Sequence, residues 1–220
     1  MSLLHVDPVR RYLSERFLCS VPEREGCVAL TFDDGPNPRN TPGLLDLLAR
    51  KNVPATFFVL GRYVRHYPDI VRRAYDEGHE IANHTDRHLP MTMLPPGILK
   101  RDVKRAERSI VRVTGQRPRF LRPPMGWFSH RTLSQIIDLD YVPVIGDVNP
   151  QDSRRPPVPT ILERVRARLT DGSIVIFHDG GWRPGVDRSN TVEAVDRLTD
   201  ELLEDGVRFL TLEGLTRSEV

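Results

Sequence analysis

Val28-Ala29-Leu30-Thr31-Phe32-Asp33-Asp34-Gly35-Pro36 begins as an apolar run and ends in two carboxylates and a turn. The run reads as a strand over 28–32, and Gly35-Pro36 stops it. The same plan recurs down the chain. Ser173-Ile174-Val175-Ile176-Phe177-His178 sets an apolar run between Gly172 and Asp179-Gly180-Gly181, the pattern of a fully buried strand, with His178 at its C-terminal end. Glu80-Ile81-Ala82-Asn83 runs into His84-Thr85-Asp86-Arg87-His88. Arg119-Phe120-Leu121 runs into Arg122-Pro123-Pro124, and Tyr141-Val142-Pro143-Val144-Ile145-Gly146 precedes Asp147 and Asp152, although Pro143 weakens that strand. Chemistry-bearing side chains thus follow five strand-like runs. In a barrel of parallel strands the C-terminal ends share one face, and catalytic groups gather there.

Helical patterns fill the intervals. Thr41 caps a helix starting at Pro42, with Leu44, Leu45, Leu47 and Leu48 on one broad face. Further helices are expected over 68–77, 96–114 (stopped by Gly115), 129–139, 161–169 and 191–203. Strands are expected over 28–32, 55–60, 80–83, 119–121, 141–145, 174–177 and 207–210. Such alternation predicts a parallel α/β architecture, although periodicity does not separate an open doubly wound sheet from a barrel. Segment 7–17, with Asp7 as cap and Pro8 in the first position, reads as a short amphipathic helix packed on as an appendage.

The clustered residues suggest a metal. Adjacent carboxylates repel, and a divalent cation relieves that cost for one of them. Successive strand residues face opposite ways, so only one of Asp33 and Asp34 can be a ligand unless the turn re-aims the other. The second could then serve as a base. His84 and His88, spaced i and i+4, would share one face if their segment is a helical turn, within reach of a single ion. Two histidines and a carboxylate with open positions form a catalytic rather than a structural centre. An arginine at position 122 can pair with a carboxylate.

With 220 residues, 39% hydrophobic and 28% charged, the chain supports one domain with a sizeable core. The formal net charge is +2 and the basic residues are spread, so no nucleic-acid patch is indicated; the basic run over 62–73 reads as a solvated helix face. No stretch approaches a membrane span. Cys27 starts a strand as a small packing residue, and a Cys19–Cys27 disulfide would require an oxidising compartment. Leu3-Leu4 is followed at once by His5, Asp7 and two arginines, which is not a secretory core. The sequence leaves two readings of location open: a protein that stays in the cytoplasm, or a secreted one whose signal is absent from this chain.

Taken in order, these motifs resemble those of the polysaccharide deacetylases of carbohydrate esterase family 4, which share the NodB homology domain. Thr31-Phe32-Asp33-Asp34-Gly35-Pro36 is similar to the family's first motif and His84-Thr85-Asp86-Arg87-His88 to its second. Arg122-Pro123-Pro124-Met125-Gly126 resembles the third, with Met125 where tyrosine is usual. Asp147-Val148-Asn149-Pro150-Gln151-Asp152-Ser153 resembles the fourth, with Asn149 in place of aspartate and Ser153 in place of tryptophan. Ile174-Val175-Ile176-Phe177-His178-Asp179 resembles the fifth.

The resemblance implies a distorted, incomplete (β/α) barrel of about seven parallel strands. It would span 27–220, behind a helical appendage over 1–26. It implies removal of N-acetyl groups from N-acetylglucosamine-type sugars in a polysaccharide or glycoconjugate. One divalent metal is implied at Asp34, His84 and His88: zinc, with cobalt or another transition metal as substitutes. Asp33 would be the general base on the attacking water, and Arg122 would orient it. The Met125 main-chain N–H would hold the oxyanion, His178 would be the general acid with Asp152 as its partner, and Ile176 would line the acyl pocket. Asp147 is the alternative partner for His178. The losses at Ser153 and Gly146 imply a wider or wetter acyl pocket, for which Trp127 and Trp182 are the candidate aromatic walls. The same residues would serve an O-acetyl esterase. A catalytically inactive carbohydrate-binding module is disfavoured by the intact ligand set, Asp33 and His178.

Overall fold

The structure is a computed structural model and describes residues 16–217. The helix expected over 7–17 therefore lies, but for its last residues, outside the described part. Strand β1 (Cys27–Asp33) is buried along its whole length, as its apolar run demands. It pairs in parallel with β2 (Thr56–Val59) and with β6 (Ile174–His178). Beyond β2 come β3 (Glu80–Asn83), β4 (Phe120–Leu121) and β5 (Val142–Pro143), in the order β5-β4-β3-β2-β1-β6, every pairing parallel. β7 (Arg208–Phe209) pairs with β1 at Cys27 and Val28, where β2 does not reach. β4 and β5 are short for a chemical reason: prolines at 118, 123 and 143 carry no N–H to donate to a ladder.

The sheet curls into a half-barrel with helices outside. Alternation along β1 shows the two faces. Val28, Leu30 and Phe32 pack outward against α1 (Thr41–Lys51), α6 (Val158–Arg166) and α7 (Ser189–Glu204), and Phe32 stacks between Phe57 and Phe177 at 5.1 and 6.0 Å. Cys27 and Ala29 point inward with Phe58, Ala82, Phe120, Val144 and Ile174. α8 (Leu212–Thr216) adds Leu212 and Leu215 to this interior. Thr31 and Asp33 share the inward face of β1. The remaining α-helices among the described residues are α2 (Gly61–His66), α3 (Pro68–Asp76), α4 (Pro96–Thr114) and α5 (His130–Asp138). α4 ends, as expected, at Gly115 with φ +74°.

The gap between β5 and β6 is sealed by chain outside the expected strands. The Leu18 N–H donates to the Pro143 carbonyl at 2.9 Å, the Ile145 N–H to Leu18 at 3.1 Å and the Val21 N–H to Gly172 at 2.9 Å. Val148 bridges Val175, and the Ile176 N–H donates to Val148 at 2.8 Å. Residues 18–21, expected within a helical appendage, are thus extended and form barrel wall. Cys19 and Cys27 are free thiols, not a disulfide.

Candidate active site

Asp33 ends β1, and its side chain enters the barrel. Arg122, just past β4, reaches across with one guanidinium nitrogen 2.7 Å from Asp33 Oδ1 and 2.8 Å from Thr31 Oγ1. Its guanidinium lies 4.1 Å above the Phe58 ring, and it is only 3% exposed. Burial lowers its pKa, and Asp33 works against that shift. Removing one partner of a buried pair like this costs about 3–5 kcal/mol. Asp34 would face away if the strand continued, but its φ of +73° breaks the alternation and brings it to the same mouth.

The histidine segment forms no helical turn. Residues 84–88 make a loop with Thr85 at φ +70° and His88 at φ +58°. The loop still brings both rings together, 5.1 Å apart between centroids. Asp34 Oδ1 lies 3.5 Å from His84 Nε2 and 3.1 Å from His88 Nε2. The three candidate ligand atoms lie within 4.8 Å of one another.

Three observations fit this cluster to a cation. Asp34 Oδ1 is buried with no hydrogen-bond partner among the described residues. His84 Nδ1 donates to the Arg122 carbonyl at 2.8 Å, which fixes the tautomer with a free Nε2 lone pair. Burial, then the neighbouring His88 and Arg122, push His84 down to about 3, so its imidazole is neutral, the form that binds metal. An N,N,O donor set suits zinc and its neighbours in the transition series.

His178 ends β6, directly in register with Asp33. Asp152, fully buried, accepts from His178 Nδ1 at 2.8 Å, from the His178 backbone N–H at 2.8 Å and from Thr191 Oγ1 at 2.9 Å. Burial alone would lower the His178 pKa, but Asp152, followed by Asp33 and Asp34, outweighs it and raises the imidazole to about 9. Asp147 faces other partners. Its carboxylate accepts from Ser173 Oγ at 2.9 Å and the Ile174 N–H at 2.8 Å, fastening the start of β6.

The family model for polysaccharide deacetylases matches residues 20–144. The chain belongs to the polysaccharide deacetylase family. It is 42% identical to a chitooligosaccharide deacetylase of a Bradyrhizobium species, over 74% of this chain and 75% of that one. Identity to a peptidoglycan-N-acetylglucosamine deacetylase of Bacillus cereus is 36%, over 90% and 91%. The crystal structure of a peptidoglycan N-acetylglucosamine deacetylase superposes with a TM-score of 0.88 at 32% identity, covering 95% of this chain and 97% of that one. A family-4 pseudoenzyme from Bacillus anthracis also superposes, with a TM-score of 0.80 at 27% identity over 89% and 67%. Membership of this family therefore does not by itself carry activity; the side chains must.

In this polysaccharide deacetylase family member those side chains face one cavity of about 360 Å³. Asp33, Asp34, His84, His88, Arg122 and His178 form one part of its wall; Met125, Gly126, Ile145, Asn149, Ser153 and Ile176 form the rest. Met125 sits in a tight turn with φ +62°. Neither Trp127 nor Trp182 is in the wall, so neither replaces the indole lost at Ser153. Trp182 instead stands edge-on to His88 at 6.3 Å, and both tryptophans are more than half exposed. Gly146 does not widen the cavity either: a Cβ there would meet the Ile174 carbonyl at 2.8 Å and Ile176 Cγ1 at 2.9 Å. Its missing side chain lets segment 146–148 close onto β6.

Sequence reading missed a supporting layer. Asp179 is fully buried beneath Gly35, where a Cβ would overlap its carboxylate. Thr41 Oγ1 donates to it; burial, with Asp34 and Asp33 adding to it, raises its pKa to about 7. Asn37 Nδ2 donates to the Asp179 carbonyl at 3.1 Å and the Val186 carbonyl at 2.9 Å. Arg188 donates to the Gly180 carbonyl at 2.7 Å and the Ser153 carbonyl at 2.7 Å, clamping the Asp152 and His178 loops together. Asp179 ends the fifth motif, but its supporting role was not read there; no motif marks Asn37 or Arg188, most of whose partners are backbone carbonyls distant in sequence.

Proposed function

We propose that this protein hydrolyses N-acetyl groups on N-acetylglucosamine-type sugars of a polysaccharide or glycoconjugate. The observation that carries the reading is Asp33 and an Asp152-paired His178 at register-matched ends of neighbouring strands, beside an Asp34-His84-His88 ligand cluster in one cavity. Asp34, His84 and His88 would hold one divalent ion, zinc by preference. When bound, that ion polarises the acetyl carbonyl and lowers the pKa of an attacking water to roughly 7.

The protein's own groups do the rest. Arg122 fixes Asp33 Oδ1, which leaves Oδ2 to accept the proton of the attacking water. The Met125 N–H donates to the oxygen on which negative charge develops; a main-chain donor does not need the usual tyrosine side chain. His178 gives its Nε2 proton to the leaving amine, while Asp152 holds Nδ1 and keeps the imidazolium populated. Ile176 receives the acetyl methyl. A placed acid or base of this kind contributes about 10² to 10⁴ in rate.

The reading is supported by family membership and by relatives named as deacetylases of chitooligosaccharide and peptidoglycan. Acetate release by zinc-loaded protein from chito-oligomers, peptidoglycan and acetyl-xylan tests it. Turnover of an amide substrate is expected. Release from acetyl-xylan alone would make the protein an O-acetyl esterase, and release from none of the three would refute the reading.

A further inference from the structure

The basic segment over 62–73 and the second half of α4 carry more arginines than the proposed chemistry uses. They meet in a groove of about 420 Å³ whose polar wall is Arg65, Arg105, Arg108, Ser109 and Arg112. Arg101, Arg105, Arg108 and Arg112 recur at spacings of three and four along one helix face, where like charges destabilise a helix. Among the described residues, no carboxylate lines the groove. The acids of α4 are engaged elsewhere: Asp102 with Arg87 at 2.7 Å, and Glu107 with Lys104 at 2.9 Å and Tyr141 at 2.7 Å. Asp86 is buried and bound to Arg65 at 2.6 and 3.1 Å, with Arg105 at 3.4 Å. Asp69, next to Pro68 in sequence, is not part of the wall. Arg108 and Arg112 are exposed, and no ion pair or hydrogen bond of their side chains is found among the described residues. The whole chain carries only +2, so this is a local concentration of charge.

Guanidinium groups fork onto phosphate oxygens. A phosphate offers more acceptor oxygens than a carboxylate, so one phosphate group satisfies two neighbouring arginines more fully. Arg108 and Arg112 are one turn apart, about 6 Å along the axis, so their two forks would reach different phosphates along one extended chain. A concave groove also suits a strand better than a flat lipid surface does. We propose that this groove binds successive phosphate groups of an anionic polymer strand, at a site separate from the acetyl-sugar cavity.

Linear polyphosphate is the probe, with binding followed by fluorescence anisotropy between 50 and 200 mM salt. The double variant Arg108→Gln/Arg112→Gln is expected to bind about tenfold more weakly or worse. Its slope of log affinity against log salt should fall by about 1.4, or roughly 0.7 per lost contact as for single-stranded phosphodiester chains. Arg50→Gln/Arg168→Gln, a charge-matched pair elsewhere on the surface, should bind as the unaltered protein does. Both doubles should keep the unfolding midpoint and metal content, so the result stands whether or not the deacetylase reading holds. No polyphosphate binding at 50 mM salt, or equal loss in the two doubles, would overturn the proposal. Polyglutamate binding as tightly as polyphosphate, or groove-dependent binding only to phosphatidylglycerol vesicles, would overturn it too.

Discussion

Asp33 and Asp34 are neighbours of one chemical type, and their surroundings separate them: Asp33 is paired with Arg122, while Asp34 turns at φ +73° toward two imidazoles. Asp33→Asn should therefore keep the metal and lose at least about 10² in turnover. Elemental analysis beside acetate release checks this, and metal loss in proportion to activity would exchange the two roles. His178 is protonated below about 9, and its acid form is lost as pH rises through that value. Asp152→Asn removes the chief carboxylate opposing desolvation, so the alkaline limb of the pH–rate profile should move to lower pH. Asp147→Asn should leave the limb in place and lower stability instead, because Asp147 anchors Ser173 and Ile174. At this scale the sequence was legible wherever a side chain closes a strand, as Asp33, His178 and Arg122 do. The roles of Asp179, Asn37 and Arg188 were not legible, although Asp179 ends the fifth motif, since each acts through groups brought close only by folding.

The expected elements came in order and type but with shifted ends, and the short helix α8 was not expected. β4 and β5 are shorter than their apolar runs because prolines withhold donors, a tertiary limit that a hydrophobic pattern does not register. The 84–88 segment keeps i, i+4 spacing without a helix, since Thr85 and His88 at positive φ make a loop that converges just as well. Gly146 looked like a vacancy in the pocket wall, yet its Cβ position is already filled by Ile174 and Ile176. Gly35 is the sharper case. A methyl group there would collide with the buried Asp179 carboxylate and push the turn that carries Asp34. Gly35→Ala should cost about 1–3 kcal/mol by overpacking, a drop of about 2–4 °C in unfolding midpoint for each kcal/mol, and weaken metal binding. Calorimetry with metal titration reads both, and an unchanged midpoint would show that Asp179 is not held where the structure has it.

Over the whole molecule, alternation of strands and helices predicted a parallel α/β fold, and family resemblance selected the incomplete barrel. What sequence did not reveal is how the barrel closes. Residues 18–21 lie far from β5 and β6 in the chain, and nothing in their composition marks them as a wall. Leu18→Pro would remove the N–H that bonds to Pro143 at 2.9 Å. It should destabilise the fold by roughly 1–3 kcal/mol, an unsatisfied carbonyl included, and a wild-type denaturation midpoint would deny the wall its role. The closed barrel matters because it sets three strand ends and one loop around a single cavity. The most direct test of that convergence is metal stoichiometry, measured together with acetate release from chito-oligomers, in His84→Ala and His88→Ala. Each substitution is predicted to cut bound metal and acetate release together; His88→Ala should leave the unfolding midpoint of the metal-free protein near that of the parent, while His84→Ala, which also frees the buried Arg122 carbonyl, should lower it. Undiminished metal in both variants, or full acetate release without metal, would contradict the account.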